Sequence, residues 1–382
     1  MTVNLLRSAA LSCLLMAAPA LAQTTTTPPA PPADPAPPPA DDAPWSLGGI
    51  DFSGYVDAYA NVNFNNPQSG FQAGYRTFDS KANSFSLNFA TLTMSHDADP
   101  IGFRMDMGFG RGYEIFHLFE PLGADQRNIV RNIMQAYVSV KPKNAGGLQF
   151  DFGKFVTSAG AEPTESHLNW NYSRSLIYSL GPFYHFGARI SKPVNDHWTT
   201  GFQIVNGWNN VDDNNTGKTF GFTNAFTSKK ASLFVNYYTG PEKTGTNEGY
   251  RHFLDSVVTL TPHDKASFYL NYDYGYEKNI DGGPTGIVSA VAGAAKFQAN
   301  DWFALSPRIE YFNDRGIWTS GTVQKIKEFT LTAEFKHKKG LMTKLEYRHD
   351  WSNEAVFMDS KGMPKKSEDT LVLGIIAYFG PK

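Results

Sequence analysis

The feature that most limits what this chain can become is a rhythm. Short segments of alternating apolar and polar residues are joined by connections that are long and short in turn. From Ile50 to Phe379 apolar residues recur at every second position with little sign of a helical period, as strands with one apolar face require. In Glu328 to His337, Phe329, Leu331, Ala333 and Phe335 oppose Glu328, Thr330, Thr332, Glu334 and Lys336. In Leu341 to Asp350, Leu341, Leu345 and Tyr347 oppose Lys344, Glu346, Arg348 and Asp350. Ile101, Phe103, Met105, Met107 and Phe109 oppose Arg104, Asp106 and three glycines. In Lys265 to Tyr276 the pattern holds except at Tyr269. About sixteen strands are expected, near 50–66, 84–97, 101–112, 131–141, 147–155, 182–193, 197–209, 218–228, 230–240, 250–262, 265–276, 287–299, 301–313, 325–337, 341–350 and 368–379. Near Phe89-Ala90 the alternation changes phase, which predicts a bulge.

Long connections fall at 67–83, 113–130, 156–181, 210–217, 241–249, 277–286, 314–324 and 351–367; those between them are tight turns such as Asp99-Pro100 and His263-Asp264. Long loops at one end and short turns at the other are the layout of an outer-membrane barrel, and a sandwich has no reason to keep it. No apolar run reaches the ~18 residues of a transmembrane helix. A chain of alternating strands that crosses a membrane must close into a barrel, because lipid leaves no partner for an open sheet edge. The expected fold is therefore all-β: a transmembrane antiparallel β-barrel of about sixteen strands, with long extracellular loops and short periplasmic turns. Aromatics at 14% suit belts at the two membrane surfaces. The apolar faces should meet lipid. The opposite faces should be wet, since a dry core holding Lys344, Glu346, Arg348 and Asp350 together would carry a prohibitive desolvation cost. A barrel of this size is wide enough for an aqueous channel.

The ends read differently. Residues 1–22 form a signal peptide, with Arg7, a short apolar run and the cleavage site Ala20-Leu21-Ala22. Cys13, the single cysteine, lies inside it, so cleavage leaves no thiol or disulfide; a lipid anchor at Cys13 is the lesser alternative. Residues 23–44 are a Pro/Ala/Thr-rich stretch read as a periplasmic linker, leaving 45–382 for the barrel. A net charge of −2 gives no electrostatic footprint for nucleic acid, and none is expected as a partner.

No enzymatic motif is present: no G-x-S-x-G, no P-loop and no H-E-x-x-H. The run Gly108 to Gly112 is glycine-rich but is read as a strand end with no helix after it. Asp212 to Asn215 lacks the spacing of a calcium loop and is read as a solvated turn. The nine histidines show no metal-ligand spacing. No catalytic residue, metal or cofactor is expected. The inward charges Arg104, Asp106, Asp151, Arg189, Arg308, Glu310, Lys344, Glu346, Arg348 and Asp350 are the candidate pore lining. Both signs occur, so no strong ion preference is predicted.

Certain segments carry a resemblance. Gly153-Lys154-Phe155 with Thr157, Gly160 and Glu162, then Asn171 to Ser175, Pro182, His185-Phe186-Gly187 and Arg189, resemble the β-barrel porin-2 (OmpL-like) family. Thr200 to Gln203 and Val205 to Asn209 fit the same pattern. The resemblance implies an outer-membrane porin: a passive diffusion channel for small hydrophilic solutes and ions, surrounded by outer-membrane lipid. Porins are often homotrimers, though no residue pattern here marks an interface. The third long connection, 156–181, holds the position from which porins commonly fold a loop into the lumen. Glu162, Glu165, His167 and Arg174 are its candidate constriction groups, facing Arg104, Arg189, Arg348 and Glu346. Two other readings stay open from the residues alone: a non-conducting barrel used for adhesion or envelope tethering, and an outer-membrane hydrolase.

Overall fold

The computed structural model describes residues 45–120, 129–279, 285–315, 322–338 and 340–380. The signal peptide and the Pro-rich stretch expected at 1–22 and 23–44 lie outside them. A short β1 (Ser46–Leu47) pairs with β2 (Ile50–Asn63). Next come β3 (Phe85–His96), β4 (Ile101–Phe109), helix α1 (Arg111–Phe116), β5 (Ile133–Val140), β6 (Gln149–Val156), β7 (Tyr184–Asn195) and β8 (Trp198–Val205). They are followed by β9 (Thr219–Thr227), β10 (Ala231–Gly240), β11 (Arg251–His263), β12 (Ala266–Glu277) and β13 (Gly286–Asn300). The chain ends with β14 (Phe303–Asp314), β15 (Gln324–His337), β16 (Leu341–Ser352), a small hairpin of β17 (Phe357–Met358) and β18 (Pro364–Lys365), and β19 (Ser367–Phe379).

Each long strand pairs antiparallel with the next, and β19 pairs with β2, from Thr370↔Asn63 to Phe379↔Gly54, so the sheet closes into a 16-stranded barrel. Closure is what a membrane demands, because it leaves no unpaired edge. All sixteen expected strands are present with ends shifted by a few residues. The phase change in β3 is a bulge: Asp57 faces Phe89 and Ala58 faces Leu87, leaving Asn88 as the extra residue. One expectation fails. A six-residue helix does follow the glycine run, because Gly112 lets it fold back onto β3; a Cβ there would meet the Phe89 ring at 2.2 Å.

Alternation sets the two faces. On β15 the residues from Gln324 to Thr332 are buried and exposed in turn, and β16 and β19 follow the same two-residue period. The outward residues are apolar or aromatic. At the short-turn end Trp302 stacks on Phe335 and Trp198 on Phe226, with centroids 6.2 and 5.7 Å apart. At the long-loop end Tyr276, Tyr311 and Trp351 lie on outward positions of their strands. Two aromatic girdles about one membrane thickness apart are the outer-membrane pattern.

The interior is filled on one side. The connection 157–183 passes into the barrel, where Trp170, Leu176, Ile177 and Leu180 pack against inward Val288, Ala290, Ala292, Phe312 and Ile326. Tyr269, the exception to alternation in β12, is inward and stacks near Trp170 at 5.1 Å. The first long connection also bends inward: Phe78 packs on Phe89, Tyr178 and Phe183.

Candidate functional site

The inward loop is first closed upon itself. Arg174 sends its guanidinium back to the loop's own carbonyls, donating to Pro163 at 3.1 Å, Thr164 at 2.5 Å and Tyr172 at 2.6 Å. Such a planar five-donor group suits a ring of backbone oxygens better than a lysine would. Glu162 accepts the Ser175 N–H at 2.7 Å and its hydroxyl. Residues 162–175 thereby form a compact unit without regular secondary structure.

The barrel wall then grips this unit through backbone groups. Glu346 on β16 accepts two consecutive N–H groups, Tyr172 at 2.6 Å and Ser173 at 2.9 Å. Glu310 on β14 does the same for Leu176 at 2.9 Å and Ile177 at 3.1 Å. Asp255 on β11 takes the Gly160 N–H and Asn271 on β12 the Ala161 N–H, both at 3.0 Å. The cations hold carbonyls: Arg348 donates to Arg174 O at 2.7 Å, Arg308 to Ser173 O at 2.8 Å, and Lys344 to Ser166 O at 3.0 Å. Arg308 also meets Glu162 at 2.7 Å and Glu328 at 3.2 Å. Two strands on from β16, past β19, Asp57 on β2 accepts from the Ser166 hydroxyl at 2.6 Å and the Tyr172 hydroxyl at 2.8 Å. The Tyr172 ring lies on Gly374 of β19, where a Cβ would meet it at 2.3 Å. Only glycine leaves room for the ring to reach the wall.

These contacts place the expected residues in two groups. Arg308, Glu310, Lys344, Glu346, Arg348 and Asp350 point inward as their alternation required, but they do not face open water. The side chains of Arg308, Lys344 and Arg348 are 0% exposed. The expectation that their face is wet is corrected: protein partners replace the water. Buried charge is tolerable here because each group has an opposite charge or a backbone dipole within hydrogen-bond reach. Asp350 pairs with Arg348 at 2.8 Å and with Arg76 of the first connection at 3.4 Å. Glu162 and Arg174 are likewise buried inside the loop's own fold rather than presented to a passage.

The second group faces space. A cavity of about 480 Å³ lies beneath the loop toward the short-turn end, lined among others by Arg104, Asp106, Tyr137, Glu165 and His167. Arg104 on β4 is 36% exposed, binds Asp106 at 3.1 Å and stands 4.0 Å from Glu165, which reaches across from the loop. Burial pushes the Glu165 carboxyl above its ordinary range while the Arg104 guanidinium opposes that rise. His167 stacks on Tyr378 at 5.1 Å. Farther round the wall Arg189 pairs with Asp151 at 2.7 Å, over the rings of Phe155 and Tyr137, beside a smaller space lined by Gln203 and Asn236. Of the facing pairs expected from sequence, Arg104 with Glu165 is brought together across the lumen; Arg348 and Glu346 meet the loop as anchors instead.

Asp57, Asp255 and Glu328 were missed. Asp57 shares a face with Tyr55, Tyr59 and Asn61, opposite Val56, Ala58, Ala60 and Val62, so its inward position is readable from that strand's period; its role as an anchor is not. Among the described residues no group of His, Cys, Asp and Glu is arranged to hold a metal ion.

A closed barrel with an apolar, aromatic-girdled outer face, a folded-in third connection and a charged cavity defines an outer-membrane porin. The chain belongs to the family described as "Putative beta-barrel porin-2, OmpL-like", whose model matches residues 49–379. No curated protein sequence matches the chain. Among solved structures it is similar to the trimer form of OmpT, an outer-membrane protein of Vibrio cholerae, with 11% identity, a TM-score of 0.56, and coverage of 86% of this chain and 99% of that one. The anion-selective porin from Comamonas acidovorans gives 12% identity, 0.57, 86% and 99%. The outer-membrane channel DcaP of Acinetobacter baumannii gives 10%, 0.55, 87% and 99%. At these identities the likeness is one of fold.

Proposed function

We propose that the chain conducts small hydrophilic solutes and ions by passive diffusion along the uncovered side of its lumen, between the loop 157–183 and strands β3–β8. The constriction in this reading is the Arg104–Asp106–Glu165 group, with His167 and Tyr137 beside it and Asp151–Arg189 forming a second charged station. The observation that carries it is the one-sided docking of the loop: backbone clamps hold it against β11–β16 and β2, and the polar cavity is left opposite. Opposed charges about 4 Å apart set a transverse field that favours hydrated polar solutes over apolar ones. Glu162, Arg174, Arg308, Glu310, Lys344, Glu346, Arg348 and Asp350 act in this reading by fixing the loop.

Purified protein in planar bilayers tests it. Stepwise conductance is expected, and deleting Ala159 to Ser179 should enlarge each step. Absence of steps would remove the channel reading and favour an adhesive or tethering barrel; steps of unchanged size would remove the loop as the constriction. Assembly as a homotrimer is a further part of the proposal, supported by the trimer form of the similar OmpT barrel. Native mass measurement should give three chains per particle.

A further inference from the structure

Toward the long loops, the charged cavity ends at a ceiling of aromatic rings. Tyr55 on β2 and Met134 on β5 line the cavity and belong at the same time to a dry cluster above it. Phe78 of the first connection, Phe89 on β3, and Tyr113 and Phe116 of α1 extend that cluster, each 4% exposed or less. The rings interlock. Phe78 meets Phe89 edge-on at 4.9 Å, Phe89 meets Tyr113 at 5.9 Å, and Phe116 stacks on Phe183 at 5.6 Å. β3 runs from the long-loop end downward, so Phe89 stands above Thr91, Thr93 and Ser95, the hydroxyl residues of the cavity wall. A hydrated solute moving between the Arg104–Glu165 group and the long loops therefore meets ring faces that do not replace its water.

The parts of the layer are not held alike. The third connection is clamped by the charges of β11–β16, and the first by Arg76, which donates to Asp350 at 3.4 Å and to Thr370 at 3.1 Å. α1 is seated differently. Arg111 pairs with Glu114 in its own turn at 2.7 Å, and among the described residues no side chain of α1 forms an ion pair with the wall. Its side-chain bond to the wall runs from the Tyr113 hydroxyl to Thr91 Oγ1 at 3.2 Å. Gly110, at φ 123°, starts the helix without a side-chain cap. Six residues are too few for a helix that is stable alone, so α1 keeps its shape by burying Tyr113 and Phe116. Beyond it Glu120 accepts from the Tyr184 hydroxyl and the Val211 N–H, both at 2.7 Å. The helix is a packed piece between a glycine and an anchor.

We propose that the ring layer is a hydrophobic gate across the lumen and that α1 is its moving part. The inference rests on conduction through this lumen and concerns how that conduction is regulated. Closed, the rings exclude water and with it ions and polar solutes. Displacement of α1 carries Tyr113 and Phe116 out of the layer, water enters, and the cavity joins the long-loop side. The Arg104–Asp106–Glu165 constriction stays where it is. Gating therefore changes how often the channel is open and leaves the size of each step alone.

The test records the full chain in planar bilayers, with Phe116→Leu and Phe116→Gln beside wild type. Glutamine brings an amide that holds water, whereas leucine keeps the layer dry. Phe116→Gln should raise the open fraction several-fold at unchanged step size, and Phe116→Leu should stay near wild type. Gly112→Val, whose side chain would strike the Phe89 ring, should raise it as well. Steps with equal open fractions in wild type and every variant overturn the gate and leave the channel reading standing. An equal rise in the leucine and glutamine variants would report loosened packing rather than wetting, and overturns it too. Steps from none of the proteins would overturn the channel reading together with the gate. Heat-modifiable gel mobility checks that each barrel has folded, and a measurement on wild type decides where a variant has not. The His117 amide, bonded to the Tyr113 carbonyl at 3.2 Å, should show a protection factor well below those of Tyr172 and Ser173, which Glu346 holds. Equal protection would overturn α1 as the moving part.

Discussion

Two halves of one barrel wall, built on the same alternating pattern, use their inward charges in opposite ways. Along β11–β16 the charges are spent on the loop's backbone: Glu346 and Glu310 each take two consecutive N–H groups, and Arg308, Lys344 and Arg348 take carbonyls. Along β4–β7 they pair with each other, Arg104 with Asp106 and Arg189 with Asp151, and keep some contact with open space. An inward charge in a barrel is therefore no guide by itself to solute contact. What decides its role is whether a loop lies over it.

Breaking the covered half should give the largest effects. Glu346→Ala removes the acceptor for two buried N–H groups and the Thr332 hydroxyl. A loss of about 2–6 kcal/mol is expected from the orphaned donors, read as a lower thermal midpoint in detergent, together with larger, noisier conductance steps. Asp151→Ala on the open half should cost less, about 1–3 kcal/mol, since it takes the acceptor from Arg189 and the Ser139 hydroxyl at a pair only 12% and 5% exposed. Equal losses at the two sites would erase the distinction between the halves. Gly374→Val comes next: the side chain would occupy the place of the Tyr172 ring, at about 1–3 kcal/mol, and should widen the steps without altering ion preference. Arg104→Ala should do the reverse. It leaves Asp106 and Glu165 facing the cavity, so reversal potentials in a salt gradient should shift toward cations while the unfolding free energy stays within about 1 kcal/mol of wild type.

The smallest effect concerns pH at the long-loop end. Glu242 accepts the Trp208 N–H at 2.8 Å, and burial raises its carboxyl from the ordinary 4.5 to about 7, against the pull of Arg251. The folded chain thus holds a proton that the unfolded chain releases between those values. Stability from this group is present at low pH and declines as pH rises through that window. The protection factor of the Trp208 amide, with the intrinsic pH dependence of exchange divided out, should fall from pH 5 to 7, and Glu242→Gln should flatten the change.

Much of this was legible in the sequence, and unevenly so. Period-two alternation placed all sixteen strands and the inward sense of Lys344, Glu346 and Arg348, because lipid on one side forces a strict pattern. The phase slip at Asn88 showed as a local fault in the same pattern. Loops have no period. Arg174 read as a group facing outward from the loop, whereas its acceptors lie within eleven residues of itself, in a turn that no repeat announces. Glu310 and Glu346 were visible as charges, but their ligands sit more than 130 residues away in sequence. Tyr269 is the instructive case: the one break in its strand's alternation marked a spot where the loop, through Trp170, covers the wall.

The loop leaves the barrel between β6 and β7, yet most of its anchors sit on β10 to β19, with Asp57 of β2 and Asn88 of β3 beyond the seam. During assembly the segment that narrows the lumen is made well before the strands that receive it. The Tyr172 contacts to Gly374 and Asp57 bridge the very seam where β19 meets β2. Seating of the loop therefore reports that the seam has closed in register: a barrel one residue out at that join would turn Gly374 or Asp57 to the lipid side and leave Tyr172 without a berth. The constriction doubles as a check on the completed ring.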